Sequence, residues 1–348
     1  MYARYCLLLA ALLVVVPLAH AQAPALTTPR ASMHATVMQT VGLTNITIDY
    51  HRPAVNGRQL WGGLVPYDQV WRAGANENTT FEVSTDVTIN GQPLPAGRYG
   101  LHMIPTTGQW TVIFSHMADA WGSFSYNESE DALRVTAAPR PAPMTERLAY
   151  RFHNPTNGAT EVALHWGELA IPFTVATNTP EIVLANMEVE LRSLPGFFWQ
   201  GWNQAATFAL QTQTRMGEAL GWVDRSIGIN QNGTNLGTKM GLLFALGRAG
   251  EADALEDDFF AAATENDVNA YGYLLLSAGR TDDALVVFRK NVADYPQSWN
   301  PHDSLGETLA GIGQTAEAIQ HYQHARDLAP PQQHARIDGI LAQLRGAN

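Results

Sequence analysis

The stretch YGYLLLSAGRTDDALVVFRKNVADYP at residues 271–296 is followed by LGETLAGIGQTAEAIQHYQHARDLAP at residues 305–330, and the two align with an offset of 34. Small residues allow helices to approach each other closely, and proline ends a helix because it lacks a backbone N–H. The repeated glycine, alanine and proline positions therefore predict pairs of helices stacked one on another. The matched positions are Tyr271-Gly272 with Leu305-Gly306, Gly279 with Gly313, Ala284 with Ala318, Phe288 with Tyr322, Asn291 with Ala325 and Pro296 with Pro330.

A period of 34 residues is that of the tetratricopeptide repeat, and a weaker form of the pattern continues upstream. The segment from Leu242 to Leu255 resembles the turn at Gly279 with two extra residues, and a further helical pair is predicted between Phe198 and Ile229. The final helix, Pro331 to Leu344, would be the polar cap that such arrays need at an open end. We expect about four helical pairs in total.

The stretch from Met33 to Val175 has the pattern of an all-β domain. Short β-branched and aromatic runs are separated by Gly, Pro and Asn, and this spacing predicts a sandwich. Asn90-Gly91 is typical of a tight hairpin turn, since both residues tolerate positive φ. The predicted strands are Thr44 to Tyr50, Phe81 to Ile89, Tyr99 to Ile104, Trp110 to Phe114, Leu133 to Ala137, Leu148 to Phe152, Glu161 to Trp166 and Leu169 to Val175. The segment Ala138 to Pro143 contains three prolines, and we predict a loop there.

This β-rich region contains multi-residue blocks such as Asp49-Tyr-His-Arg-Pro53 and Val70-Trp-Arg-Ala-Gly-Ala-Asn76. In order and content these blocks resemble a bacterial family catalogued as domain of unknown function 2911. The resemblance covers roughly Thr28 to Val175 and implies an exported β-sandwich that is often joined to helical repeats. It brings no established activity, so no catalytic residue is carried over. The blocks that carry it include Gln39 to Thr44, Asp49 to Pro53, Trp61 to Tyr67, Val70 to Asn76, Leu94 to Tyr99, Trp110 to Phe114 and Trp121-Gly122.

The first residues are predicted to be a secretory signal peptide. Arg4 precedes an apolar run from Leu7 to Ala19, and Ala19-His20-Ala21 offers small residues at the two positions that signal peptidase reads. The alternative is an uncleaved anchor, but the run is shorter than the ~20 apolar residues that span a bilayer. Because Cys6 is the one cysteine, cleavage would leave a mature chain without disulfides or thiolate metal sites. We expect an exported protein, periplasmic or secreted, with no membrane insertion after signal cleavage.

These observations predict an α+β multidomain chain, in which an antiparallel β-sandwich precedes an α-helical tetratricopeptide-like repeat solenoid. The formal net charge of −11 argues against nucleic acid and against anionic membrane surfaces, both of which attract basic patches. The predicted segments are a signal peptide at 1–21, an N-terminal extension at 22–32, the β-sandwich at 33–176, a linker at 177–183 and the repeats at 184–345.

A ligand site is predicted in the long segment between the strand ending at Tyr50 and the strand beginning at Phe81. Irregular loops of this length are usually functional or disordered, and this one is too aromatic for disorder. Tryptophan and arginine side chains could hold a carboxylate, a sugar or a peptide. The alternative is a lid over one sheet edge, with Arg72 and Glu77 paired structurally. The candidate residues are Arg52, Trp61, Trp71, Arg72, Asn76 and Glu77.

The remaining patterns give little chemistry. Methionine and histidine are adjacent at Met33-His34, His102-Met103 and His116-Met117, but neighbouring strand residues point to opposite faces, so we predict no metal site and no cofactor. The sequence has no Gly-x-Ser-x-Gly elbow, no His-Glu-x-x-His, no phosphate-binding Gly-x-x-x-x-Gly-Lys and no dinucleotide fingerprint. We therefore predict a binding or scaffold protein rather than an enzyme, with a protein or peptide partner on the concave face of the repeats and a possible small ligand on the β domain. The alternative is a carbohydrate- or peptide-binding module of hydrolase type that uses the Arg52 to Glu77 loop.

Overall fold

A computed structural model describes residues 28–346 of the 348-residue chain, so the predicted signal peptide lies outside the described residues. Within this range no helix has both the length and the apolar character needed to cross a membrane. The N-terminal part consists of the strands β1 (Met33–Val41), β2 (Thr44–Arg52), β3 (Thr80–Val83), β4 (Val87–Ile89), β5 (Gln92–Leu94), β6 (Gly97–Ile104), β7 (Trp110–Ser115), β8 (Asp131–Ala137), β9 (Arg140–His153) and β10 (Ala159–Ala176).

The strands form two antiparallel sheets, which confirms the predicted sandwich. The larger sheet has the order β1-β2-β3-β6-β7-β8, and the smaller one has the order β5-β4-β10-β9. Buried phenylalanine rings join the two sheets: Phe173 of β10 packs edge-on against Phe114 of β7 at a centroid distance of 5.7 Å and against Phe81 of β3 at 6.0 Å. The hairpin predicted at Asn90-Gly91 is present between β4 and β5, and both residues have positive φ.

Three strand predictions need correction. The run Phe81 to Ile89 is two strands, because the polar segment 84–86 carries the chain from the larger sheet to the smaller one. Glu161 to Trp166 and Leu169 to Val175 are one long strand, interrupted by a bulge at Gly167, whose φ is +60°.

The segment Ala138 to Pro143 is only partly a loop, because β9 begins at Arg140. Proline is tolerated there because β9 is the last strand of its sheet. At such an edge, the positions where proline lacks an N–H can lie on the side away from the neighbouring strand β10. Strand β1 was not predicted. It is also an edge strand, and Met38 on it is exposed, so its apolar pattern is weak.

The C-terminal part consists of helices. They are α1 (Thr179–Glu190), α2 (Trp199–Thr212), α3 (Met216–Ile229), α4 (Gly233–Ala245), α5 (Ala249–Asp253), α6 (Glu256–Ala262), α7 (Glu265–Ser277), α8 (Thr281–Asp294), α9 (Trp299–Gly311), α10 (Thr315–Leu328) and α11 (Pro331–Gly346). Since α1 begins at Thr179, most of the segment 177–183 that was predicted to be a linker is helical.

The helices follow the predicted repeat. Four pairs are formed by α2 with α3, α4 with α5 and α6, α7 with α8, and α9 with α10, and α11 packs on the last pair. Gly272 and Gly306 allow the close approach that their positions predict, because a Cβ at Gly272 would lie 2.5 Å from the ring of Phe288. Ala284 and Ala318 are fully buried.

The upstream repeat differs from its prediction. Its turn has no extra residues, since the fully buried Ala252 follows Gly247 at the same distance as Ala284 follows Gly279. Both glycines have positive φ and end the preceding helix in the same way. The irregularity comes later, where the second helix of the pair is broken between α5 and α6.

Two of the buried histidines in the β domain, His102 and His165, have strongly lowered pKa values. His102 on β6 is 2% exposed and shares a hydrogen bond with the hydroxyl of Ser123, and burial lowers its pKa to about 4. His165 on β10 shares a hydrogen bond with His153, and burial likewise lowers its pKa to about 4. Both imidazoles are therefore neutral in the folded protein at pH 7.

The substitution Gly272→Ala should destabilise the repeats by ~1–3 kcal/mol, because the new methyl group would overlap the ring of Phe288. Gly221→Ala is the matched control. Gly221 is exposed in the interior of α3 with no atom near its Cβ position, so the same change should stabilise that helix by up to ~1 kcal/mol. Urea unfolding followed by circular dichroism at 222 nm measures both, and equal midpoints for the two variants would contradict the close contact.

Stability of the β domain should fall as the pH is lowered from about 6.5 toward 4. The pKa of His102 is depressed in the folded state, so the unfolded state binds more protons in this window. By pH 5 the His102 contribution should amount to a loss on the order of 1–2 kcal/mol. His102→Gln should flatten the dependence of the unfolding midpoint on pH, whereas the same change at the exposed His116 should not. A variant that keeps the full slope would show that His102 already titrates normally in the fold.

Candidate functional site

The segment 53–79, between β2 and β3, connects the two sheets. The N–H of Val55 donates to the carbonyl oxygen of Glu146 on β9 at 2.8 Å, and Trp71 exchanges two backbone hydrogen bonds with Met103 on β6. Leu60 and Val65 are buried in the same core as the strands. The segment is therefore an integral part of the sandwich.

Four tryptophans pack together, two from this segment and two from strands β7 and β10. Trp71 stacks on Trp166 with a centroid distance of 5.8 Å and an interplanar angle of 18°, and Trp61 contacts both rings edge-on. Trp61 also packs on Trp110 at 4.8 Å. Trp166 is only 1% exposed, so its indole face forms the inner wall of this part of the domain.

A cavity of about 560 Å³ lies between the segment, β9 and β10. This volume is within the range of small-molecule sites. Three arginines line it, and none of the described lining residues is acidic. The lining consists of Ala31, Ser32, Pro53, Ala54, Asn56, Arg58, Leu64, Val65, Trp71, Arg72, Gly74, Ala75, Arg147 and Trp166.

The three arginines differ in how they are held. Arg58 donates through Nε and Nη2 to the carbonyl oxygens of Val55 and Ala54, at 3.0 and 2.6 Å. Arg147 donates through Nη1 to the carbonyl oxygen of Ala31 at 3.3 Å. Arg72 forms no hydrogen bond or ion pair with any residue in the range 28–346, although its Nε is buried.

The guanidinium of Arg72 is enclosed by a neighbouring loop. Phe124 lies 5.7 Å from it, and Gly122 is so close that a Cβ there would be 2.0 Å from Nη1. Burial lowers the pKa of Arg72 from its ordinary value. The next residue, Ala73, is held in the left-handed region at φ 49°, where its carbonyl oxygen accepts hydrogen bonds from Tyr150 and Thr79.

The structure brings only some of the predicted site residues together. Trp71 and Arg72 line the cavity, but Trp61 belongs to the aromatic cluster beside it. Arg52 donates through Nε to the carbonyl oxygen of Leu148 at 2.9 Å, and Asn76 donates to that of Ser32 at 3.3 Å.

The predicted pairing of Arg72 with Glu77 is wrong. Glu77 instead accepts from Arg30 at 2.7 Å, and this hydrogen bond lowers the pKa of its carboxyl group. His51 lies 3.5 Å from the same carboxylate, but burial lowers the pKa of His51 more than Glu77 raises it. Arg147 and Trp166 were missed because they come from strands of the other sheet, and their sequence surroundings look like ordinary strand.

A second candidate site is a groove of about 390 Å³ along α2, α4 and α7, the first helices of successive pairs. Its lining includes Gly233, Gly237 and Gly241, which occur every fourth residue along α4. Gly233 packs closely against Asp267 and Gly241 against Leu210, whereas Gly237 is half-buried with more space beside it. The remaining lining residues are Asn203, Thr207, Leu210, Thr234, Thr238, Asp267, Ala270, Tyr271 and Leu274.

The polar groups of the groove are satisfied with one exception. Asp267 accepts hydrogen bonds from Thr234 and from Thr264, and Tyr271 donates to Glu256. Asn203 is 8% exposed, and its Oδ1 has no partner among the described residues. Within residues 28–346, no three or more His, Cys, Asp or Glu side chains are arranged to hold a metal ion.

Comparison with known proteins gives one family match. Residues 32–175 match the family described as "Protein of unknown function (DUF2911)". No curated protein matches the chain.

Solved structures resemble the helical part at low sequence identity. PilF of Pseudomonas aeruginosa is 15% identical, with 42% of this chain and 67% of that chain covered and a TM-score of 0.33. YrrB, described as a TPR protein with an unusual peptide-binding site, is 18% identical over 47% of this chain and 85% of its own, with a TM-score of 0.31. PilW, described as a type IV pilus biogenesis factor, is 18% identical over 48% and 79%, with a TM-score of 0.35.

The repeat assignment rests on the 34-residue period and the helix pairs of the chain itself. The chain thus contains a DUF2911 domain at residues 32–175, followed by helical repeats of the tetratricopeptide type.

Proposed function

We propose that this chain is a binding protein whose repeats hold an extended peptide segment of a partner protein in the groove along α2, α4 and α7. The observation that carries the proposal is the side chain of Asn203. Asn203 is buried where it lines the groove, and no donor within residues 28–346 reaches its Oδ1. A buried unsatisfied polar atom costs about 1–3 kcal/mol, so such an atom in a native groove points to a ligand that satisfies it.

A primary amide suits a peptide backbone because it donates and accepts at the same place. Recognition of the backbone also agrees with the rest of the groove. The one acidic lining residue, Asp267, already accepts hydrogen bonds from Thr234 and Thr264, so it offers little selectivity for charge. Leu210 and Leu274 supply apolar surface for side chains of the bound segment.

The glycine face of α4 supports the same proposal. With no side chain at Gly237, a bound backbone can approach the helix closely, as glycine positions generally permit. A segment lying there would contact helices from three successive pairs. Such an extended concave surface is a general property of repeat arrays.

The substitution Asn203→Ala should weaken peptide binding roughly tenfold, because one buried hydrogen bond to the peptide would be lost. The measurement is fluorescence anisotropy of a labelled peptide, selected from a random 12-residue display library on the full mature chain. Gln204→Ala is the matched control, since Gln204 is the next residue of α2, carries the same amide and is exposed. If selected peptides bind both variants equally well, or if none is enriched, the groove is not a peptide site.

Export is part of the same proposal and is supported by the sequence at residues 4–21. We expect the mature protein to begin at Gln22, which mass spectrometry of the N-terminal peptide would detect. Ala21→Arg should keep the signal attached, since a large residue at the cleavage site blocks the peptidase. His20→Gln, one position earlier, should leave cleavage unchanged. A mature protein that retains Leu7 to Ala19 would support the anchor reading instead.

A further inference from the structure

We propose that the cavity of the β domain binds a small organic anion, whose carboxylate or phosphate group is held by Arg58, Arg72 and Arg147 and by the indole N–H of Trp166. This site is separate from the peptide groove, and the proposal does not depend on it.

Two unpartnered donors on residues that line the cavity carry the proposal. The Nε of Arg72 and the Nε1 of Trp166 are buried, and neither has an acceptor among the described residues. Trp166 is 1% exposed and lines the cavity. Both groups can only donate, so the missing partner must be an acceptor.

The charge of the wall selects an anion among possible acceptors. Three arginines line one cavity in a protein whose net charge is −11. None of the three forms an ion pair within residues 28–346, while the nearby carboxylates of Glu77 and Glu146 are occupied by Arg30 and by the N–H of Asn56. Like charges that face one cavity repel each other, and an anion removes that repulsion. Arginine is the side chain best suited to carboxylate and phosphate because its planar fork binds two oxygens together.

The aromatic wall indicates the size and shape of the rest of the ligand. Trp71 is half-buried and stacked on Trp166, so an indole surface stands beside the arginines. A cavity of about 560 Å³ has room for a ring of sugar or aromatic size in addition to the anionic group. Flat apolar faces of such rings pack well on indole.

The backbone next to Arg72 is built to hold that side chain in place. A non-glycine residue in the left-handed region costs roughly 1–2 kcal/mol, and Ala73 adopts it at φ 49°. Two buried hydroxyl groups, those of Tyr150 and Thr79, fix its carbonyl oxygen. Backbone strain that is held in this way is typical of binding sites.

Isothermal titration calorimetry on the full mature protein tests the proposal with probe pairs that differ in the anionic group alone. The pairs are glucuronate and glucose 6-phosphate, each against glucose, and phenylacetate against phenylacetamide. We expect at least one anion to bind about ten times more tightly than its neutral counterpart. Its affinity should fall as the sodium chloride concentration is raised from 0.05 to 0.5 M. The pair that responds distinguishes carboxylate from phosphate. If no anion binds, or if each neutral probe binds as well as its anion, the proposal is wrong.

Arg147→Gln should weaken binding of the preferred anion roughly 10- to 100-fold, which is the usual effect of losing one charge-assisted hydrogen bond. Arg151→Gln is the matched control, because Arg151 lies on the same strand, is exposed and does not line the cavity. Without ligand, Arg147→Gln should leave the unfolding midpoint unchanged or raise it, since it reduces the repulsion among the arginines. A lowered midpoint with an unchanged preference for the anion would assign Arg147 to structure and overturn its role here.

Trp166→Phe tests the second donor independently. It keeps an aromatic ring in the wall and removes the N–H, so anion binding should weaken several-fold while the neutral probe is unaffected. An equal loss for anion and neutral probe would show that the indole contributes packing alone.

Discussion

The β domain depends on the carbonyl oxygen of Ala73. Two hydroxyl groups, from Tyr150 on β9 and from Thr79, donate to this single atom at 2.9 and 3.2 Å. Tyr150 is fully buried, and burial raises its pKa well above the ordinary value, so its hydroxyl stays a donor at physiological pH. Tyr50 on β2 packs edge-on against Tyr150, and the hydroxyl of Tyr50 accepts a hydrogen bond from the backbone N–H of Tyr150. This small network joins both sheets to the segment 53–79, and it thereby fixes where Trp71 and Arg72 stand.

The two candidate sites are recognised by the same physical criterion. Most buried polar groups in native proteins have a partner, because an orphaned group costs free energy. Within the part of the chain that the structure describes, the buried atoms without a partner include the Nε of Arg72, the Nε1 of Trp166 and the Oδ1 of Asn203. The first two are donors beside a cluster of positive charge, and the third is an acceptor in a groove with little charge. The chemistry of what is missing therefore differs between the sites.

The helical part was predictable from the sequence because its contacts repeat with the chain. Gly272 contacts Phe288 in one helical pair, and Gly306 contacts Tyr322 in the next pair. The same contact between neighbouring helices therefore recurs at a spacing of 34 residues. The β strands were predictable where at least one face of a run is clearly apolar, as in Thr44 to Tyr50. Strand β1 and the start of β9 were not predicted. The exposed Met38 in β1 and Pro141 in β9 contradict strand composition, and both are tolerated because these strands lie at sheet edges.

The candidate site of the β domain was predictable only in part, because the position of a residue in a sheet cannot be read from local composition. Arg72 and Trp71 lie in an irregular segment whose composition is unusual, so sequence alone singled them out. Arg147 and Trp166 reach the cavity through the pairing of β9 with β10 and through the bulge at Gly167, and neither register nor bulge can be read from composition. The predicted pairing of Arg72 with Glu77 was wrong because Arg30 lies close to Glu77 in the fold and pairs with it.

The position of the domain junction argues that the two sites bind independently. Helix α1 begins at the turns that join β1 to β2 and β9 to β10, where the hydroxyl of Thr179 donates to the carbonyl oxygen of Asn157 and its side chain packs against Gly42. The segment that forms the cavity leaves the opposite end of β2, and nine strand residues at ~3.3 Å each separate the two ends. Coupling between sites requires an element with two arrangements that both ligands bias. A strand that is hydrogen-bonded to β1 on one side and to β3 on the other, with alternate residues buried in the core, has one arrangement, so occupancy of the cavity should leave the affinity of the groove unchanged.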